Sequence, residues 1–263
     1  MLETIANRIN ISYLEKGTGP PLILIHGLSD SSVLWAPLYQ TFSQNYQTTV
    51  PDVRGHGNSS KPDMPYTINL FSRDLKAFCD VLNIKNCHIV GHSMGAAISQ
   101  QFTVDYPELV RSLVLLSPID STNQKFASNL RKLQKSITLG GISAFFDEAI
   151  KLVVTPEFAS ANSKALLDAK NVCIKTNSPA AISNAIGACL EFDATQVNIK
   201  IFKPTFIISG KLDIFTPIQI AKRTQKEIEC SELKIVEGVG HNLFIPEKFP
   251  ELSEIILDFL CRH

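Results

Sequence analysis

The chain has 263 residues, with 25 Lys and Arg set against 25 Asp and Glu, and 44% of it is hydrophobic. That length suits one generous domain or a domain with a subdomain, and the hydrophobic share can fill a large core. The balanced charge argues against nucleic acid or an anionic membrane as main partner, because both call for a basic surface.

In chain order, INISYLEK (9–16) alternates with period two and ends at the turn GTGP, so it reads as an antiparallel edge strand or hairpin arm. PLILI (21–25) is a short continuous apolar run, the mark of a strand buried on both faces. A helix-like stretch covers 32–44. TTV (48–50) then leads into PDVRGHGNSS, a loop by its Gly, Pro and Ser content. Residues 68–84 place Leu70, Phe71, Leu75, Phe78, Val81 and Leu82 at helical spacing. CHIV (87–90) reads as a strand and 94–106 as a helix stopped by Pro107, followed by the buried strand VRSLVLLS (110–117).

Beyond this point the pattern changes to helical periodicity without a strand, until KPTFIISG (203–210) restores the strand signature. A helix at 217–227, the strand LKIV (233–236) and a last helix at 247–260 close the chain. Strands alternating with helices predict a mostly parallel sheet covered on both faces. The expected division is a core domain of residues 1–120 and 198–263, with a helical cap of residues 121–197 inserted in it. Sheets of this kind bind ligands beyond the carboxyl ends of their strands, so the loops there are the place to look for chemistry.

The N-terminus has no basic segment followed by an apolar one, and no apolar run reaches bilayer length. The six cysteines form no C-x-x-C pair and no Cys/His cluster with zinc spacing, so they read as reduced thiols filling core space. The expectation is a cytoplasmic protein without a metal or cofactor, with no nucleic-acid or membrane partner. Oligomeric state is not legible.

One stretch demands a special explanation. IVGHSMGAAI (89–98) sets Ser93 between Gly91 and Gly95, where a strand becomes a helix. A tight strand-to-helix turn forces its middle residue toward positive φ and brings the residues two before and two after it into contact. Only very small side chains fit there. The turn lifts the Ser93 hydroxyl clear of the sheet and aims the first N–H groups of the helix at it. This is the G-x-S-x-G nucleophile elbow.

A serine hydroxyl is a weak nucleophile at neutral pH and needs a base, which in turn needs an orienting carboxylate. Of six histidines, His88 lies in a strand, His92 in the elbow and His263 at the terminus, while His26 and His56 precede the serine in Gly-rich loops. His241, in EGVGHNLFIPE after the strand LKIV, is the expected base. Asp213, in SGKLDIFTP just past a strand, is the expected acid, with Asp120 as its rival at another strand end. For the oxyanion, the expected donors are the backbone N–H groups of Met94 and of Leu28, the latter in HGLSDSS after the strand PLILI. Their side chains are then free to line a pocket. Trp35 is expected to pack against this loop, near the site, and Phe145 and Phe146 follow a Gly hinge in TLGGISAFF (138–146). The substrate-binding candidates are therefore Leu28, Met94, Trp35, Phe145 and Phe146.

Taken in order, HGLSDSSVLW, DVRGHGNS, GHSMG, GKLDIFTP and GHNLFIPEKFPE resemble the α/β-hydrolase superfamily over nearly the whole chain. The resemblance implies an α/β fold with an eight-stranded, mostly parallel sheet, helices on both faces, and a helical cap inserted after the sixth strand. It also implies a Ser93–Asp213–His241 triad. Cap length and spacing are similar to 3-oxoadipate enol-lactonase-like proteins and small carboxylesterases, the biotin-pathway methyl esterase among them. Two departures stand out: the oxyanion loop HGLS lacks a second glycine, and Ala96 replaces the last small glycine of the elbow group. In DVRGHGNSSKP the resemblance suggests a structural loop anchored by Asp52 and Arg54, not a catalytic or metal cluster.

The serine at the elbow argues against dehalogenases and epoxide hydrolases of this fold, which carry aspartate there. Hydrolysis of a small-molecule ester, thioester or lactone through an acyl-enzyme fits directly. The enzymatic alternative is carbon–carbon bond hydrolysis of a vinylogous diketone. The non-enzymatic one is a ligand-binding receptor or regulator on the same fold. A carboxylate-bearing lactone would need a cation in the cap, for which Arg131, Lys132 and Lys135 are candidates against a plain solvated helix face.

Overall fold

A computed structural model describes residues 1–263. Its strands are β1 (Leu2–Ala6), β2 (Ile9–Lys16), β3 (Pro21–Ile25), β4 (Gln47–Pro51), β5 (Cys87–His92), β6 (Val110–Leu116), β7 (Thr205–Gly210) and β8 (Ser231–Val236). They form one sheet in the order β1-β2-β4-β3-β5-β6-β7-β8. The β1–β2 and β2–β4 pairs are antiparallel and all others are parallel. The 9–16 strand is thus a hairpin arm but not the edge, because β1 pairs outside it.

The strand order decides where a ligand belongs. From β3 the chain steps outward to β4, then returns to β5 on the other side of β3. At that reversal the loops leaving β3 and β5 diverge above the carboxyl ends of the strands and open a crevice. HGLSDSS leaves β3 and the Ser93 elbow leaves β5.

Alternation along each strand builds two cores. Ile23, Ile25, Ile89, Leu113, Leu115 and Ile207 face one side, with α2 (Ile68–Val81) and α3 (Met94–Asp105) packed over them. Leu22, Leu24, Val90, Val114, Leu116 and Ile208 face the other, under α1 (Ala36–Phe42) and α10 (Phe249–Arg262). Helix α2 shows how sequence sets a helix on this sheet. Thr67 caps it by accepting a hydrogen bond from Leu70 N–H at 3.0 Å, and Phe71, Leu75 and Phe78 line its buried face. Burying a side chain such as Phe78 contributes about 2 kcal/mol.

Between β6 and β7 stand five helices: α4 (Gln124–Val153), α5 (Pro156–Ala161), α6 (Ser163–Thr176), α7 (Pro179–Glu191) and α8 (Ala194–Asn198). Helix α4 bends at Gly140 and Gly141, whose backbone is not helical. Helix α9 (Ile218–Glu227) links β7 to β8. No helix is long and apolar enough to cross a membrane. All six cysteines are free; Cys79, Cys87, Cys173 and Cys189 are buried, whereas Cys230 and Cys261 are exposed and fill no core space.

Candidate active site

Ser93 has φ 55° and ψ −115°, between the end of β5 and the start of α3. This conformation is costly for a residue with a Cβ and persists only where its surroundings enforce it. The surroundings here are backbone. Ser93 N–H donates to the Leu116 carbonyl of β6 at 2.9 Å. A Cβ on Gly91 would collide with the Gly95 carbonyl, and one on Gly95 with the Ile25 carbonyl at the end of β3. Gly91 therefore lets β5 close on the first turn of α3, and Gly95 lets that turn close on the end of β3.

Three side chains from separate loops meet above this turn. The Ser93 hydroxyl lies 2.9 Å from His241 Nε2. On the other side of the ring, His241 Nδ1 lies 2.8 Å from Asp213 Oδ2. Asp213 has no lone pair to spare for another orientation. Its Oδ1 accepts from the Phe215 and Thr216 N–H groups at 2.9 and 2.7 Å, and its Oδ2 also accepts from the Thr216 hydroxyl at 2.6 Å. An acceptor held this way fixes the imidazole tautomer: Nδ1 carries the proton and Nε2 is left to accept from Ser93. All three residues are buried.

The loops carrying them are tied to one another by backbone bonds. Leu212 N–H donates to the Val239 carbonyl at 2.9 Å, joining the Asp213 loop to the His241 loop, and Asn242 N–H donates to the Val153 carbonyl at 2.8 Å, joining the latter to the end of α4. Asp120 is elsewhere. Its carboxylate accepts from the Thr122 N–H and hydroxyl and from Arg223 at 3.3 Å, and it has no hydrogen bond to His241.

The first intrahelical bonds of α3 run from Ala96 and Ala97 to the Ser93 carbonyl. The N–H groups of Met94 and Gly95 therefore open the helix without an intrahelical acceptor. In the β3 loop, Asp30 N–H donates to the Gly27 carbonyl at 3.3 Å. His26 pins this loop from below. Its Nδ1–H donates to the Gly27 carbonyl at 2.8 Å and its Nε2 accepts from Val53 N–H at 3.0 Å. Burial lowers the basicity of His26, so it serves as a neutral strut.

The DVRGHGNSS loop forms the floor of this region. Arg54 pairs with Asp74 of α2 through two hydrogen bonds of 2.6 Å. Asp52 accepts from Ser32 N–H at 2.6 Å and Asn58 N–H at 2.8 Å. His56 donates from Nδ1 to the Arg54 carbonyl at 2.9 Å, and burial pushes its pKa down to about 3. These residues face each other and not the crevice.

A cavity of about 190 Å³ opens over Ser93 and His241. Eighteen residues line it and eleven are apolar. Leu28, Phe145 and Phe146 are among them, together with Leu133, Val153 and Leu166 from α4 and α6. Two expectations need correction. Trp35 is wholly buried on the opposite core, edge-on to Phe244 with ring centroids 5.0 Å apart, and does not reach the cavity. Met94 likewise does not line it, since its side chain turns into the core under α3. Arg131, Lys132 and Lys135 are exposed to solvent and none reaches the cavity.

Asp30 is not among the residues expected at the site. It lines the cavity, and burial raises its pKa from 3.8 to about 7, against a smaller opposing influence of His241. The signal was in plain view, as an acid two residues beyond Leu28 in a loop expected to hold an anion.

A family model described as alpha/beta hydrolase fold matches residues 20–248. The chain is similar to an uncharacterized protein of Mycobacterium tuberculosis, 27% identical over 261 residues, covering 92% of this chain and 76% of that protein. It is similar to the 2-(acetamidomethylene)succinate hydrolase of Mesorhizobium japonicum, 28% identical over 259 residues, covering 94% and 89%. In fold it is similar to the enol-lactonase from Burkholderia xenovorans LB400, with TM-score 0.89 and 20% identity over 99% of this chain and 100% of that one.

Proposed function

The chain belongs to the alpha/beta hydrolase fold family, and from that premise we propose that it is a serine hydrolase cleaving a carboxylic ester, thioester or lactone of a small substrate. The observation that carries this reading is the unbroken hydrogen-bond line from Ser93 Oγ through His241 to Asp213, at 2.9 and 2.8 Å. Ser93 attacks the substrate carbonyl while His241 Nε2 takes its proton, and Asp213 stabilises the imidazolium that forms. The oxyanion of the tetrahedral intermediate is held by the N–H groups of Leu28 and Met94. Collapse expels the alcohol or thiol, which takes its proton from His241. Water then attacks the acyl-enzyme with His241 again as base, and Ser93 is released.

In this reading residues 121–197 are a lid over the core of residues 1–120 and 198–263. Support comes from the cavity, whose walls include β-strand loops below and α4 and α6 above. The lining contains no Lys or Arg, so a dianion such as a succinate has no counter-ion there. An uncharged or cationic substrate suits the site better.

Turnover of p-nitrophenyl esters from acetate to decanoate, by the unsubstituted chain and Ser93→Ala, tests the proposal. The expected result is turnover that vanishes with Ser93→Ala and a chain-length optimum set by the cavity. Failure of the folded, unsubstituted protein to cleave any ester, or to be labelled at Ser93 by a fluorophosphonate, would sink it.

A further inference from the structure

The cavity over Ser93 has one acidic side chain among its lining residues and no Lys or Arg. Asp30 shares that lining with Leu28, Leu34 and Phe146, and its carboxyl oxygens have neither a hydrogen bond nor an ion pair within the protein. Asp30 is half-buried, whereas the fully buried carboxylates of the molecule are served by protein donors. Asp52 holds two backbone N–H groups, Asp74 holds Arg54 and Asn7, and Asp213 holds four donors. A half-buried carboxylate on a mostly apolar wall has only solvent to pair with, so a ligand that brings a cationic donor gains a charge-assisted hydrogen bond there.

We propose that Asp30 is a specificity-determining residue that selects substrates carrying an ammonium group on an otherwise apolar chain and turns away substrates carrying a free carboxylate. The inference rests on the proposed hydrolase reading in that the same cavity holds the substrate. Three features support the ammonium over a neutral donor. The cavity wall is mostly apolar, so a charge pair there is weakly screened. Partial burial pushes the Asp30 carboxyl up to about 7, and an adjacent cation acts in the opposite direction. The other titratable groups around Asp30 are His241, His92 and Cys173. Burial pushes His92 down to about 3, so it supplies no resident cation near neutral pH, and Cys173, pushed up to about 11, stays a neutral thiol.

Binding of n-hexylamine, n-hexanol and n-hexanoate to the Ser93→Ala protein, measured by calorimetry at about pH 8 where the amine is protonated, tests the proposal without turnover. The amine should bind about ten- to a hundredfold more tightly than the alcohol, as a charged hydrogen bond predicts, and hexanoate more weakly than either. Adding Asp30→Asn should bring the amine and alcohol together, with Asp30→Ser as a second variant should the first not fold. An amine that binds no better than the alcohol, or an advantage that survives loss of the carboxyl, would overturn the proposal. The comparison of three ligands on the chain that keeps Asp30 decides the matter even if both variants fail to fold. Absence of ester turnover would count against the hydrolase reading alone, because these affinities do not depend on catalysis.

Discussion

The Ser117 hydroxyl at the end of β6 donates a hydrogen bond to the backbone carbonyl of His241 at 3.0 Å. His92 Nε2 approaches the same carbonyl at 3.3 Å. The backbone at His241 is thus anchored from β5 and β6, while its ring is held by Asp213. Ser117→Ala removes the shorter anchor and leaves the ring's own partners untouched. The expected outcome is a fall in kcat of about tenfold with KM little changed, because small misplacement of a base costs rate more than ground-state binding. Steady-state kinetics on one cleaved ester reads both.

Asp213 and Asp120 are both buried acids at strand ends, and they give opposite expectations. Asp213→Asn keeps the shape but loses the acceptor that fixes the His241 tautomer, and should lower kcat by about 10⁴-fold. Asp120 holds Thr122 and the half-exposed Arg223. Asp120→Asn should change kcat by less than about twofold and stability by about 1 kcal/mol. The reverse pattern in kcat would reassign the acid.

What was legible in the sequence was whatever backbone geometry enforces locally. The run PLILI, the elbow around Ser93 and the helical spacing of Phe71, Leu75 and Phe78 each imposed their own conformation. Ser93, Asp213 and His241, which the structure brings within hydrogen-bond distance of one another, were marked by their place in loops at strand ends. What escaped was side-chain direction at longer range. Trp35 lies close to Leu28 in sequence, but the 3-10 turn at Ser32–Trp35 carries its ring to the opposite face of the sheet. Asp30, closer still, turns the other way into the cavity. Periodicity could not separate them, because neither sits in a regular strand or helix before the turn. The lining contributed by α6 depends on how α4 bends, which no spacing rule foresees.

Stability should vary with pH in two opposed ways. Burial lowers His56 and His92 to about 3 and His88 to about 4, from 6.5. The unfolded chain therefore binds more protons than the folded one below about pH 6.5, and stability is lost as pH falls toward 3 to 4. Asp30 has the contrary sign. Its raised value favours the folded state below 3.8, and that contribution fades as pH rises to about 7. Urea midpoints across this range should fall steeply on the acid side. Relative to the unsubstituted chain, Asp30→Asn should gain stability as pH rises from about 4 to about 7, with no further gain above. A difference between the two proteins that is flat across that window would contradict the titration assigned to Asp30.

Gly141 and Gly187 separate the conformational role of glycine from its lack of a side chain. Neither would meet any atom within 4 Å if given a Cβ. Gly187 lies within helix α7, where glycine is entropically unfavourable, so Gly187→Ala should stabilise by about 0.5–1 kcal/mol. Gly141 has φ 65° and ψ −155°, a region open to glycine and closed to residues with a Cβ. Gly141→Ala should destabilise by about 1–3 kcal/mol despite the free space. Its second effect is on the site, because Phe145 and Phe146 line the cavity one turn beyond the bend. Straightening α4 moves both rings, so the chain-length optimum for ester cleavage should shift in Gly141→Ala and stay put in Gly187→Ala. Thermal melts paired with the ester series check both, and a Gly141→Ala protein that melts higher with an unchanged optimum would show that the bend is not held by its glycine.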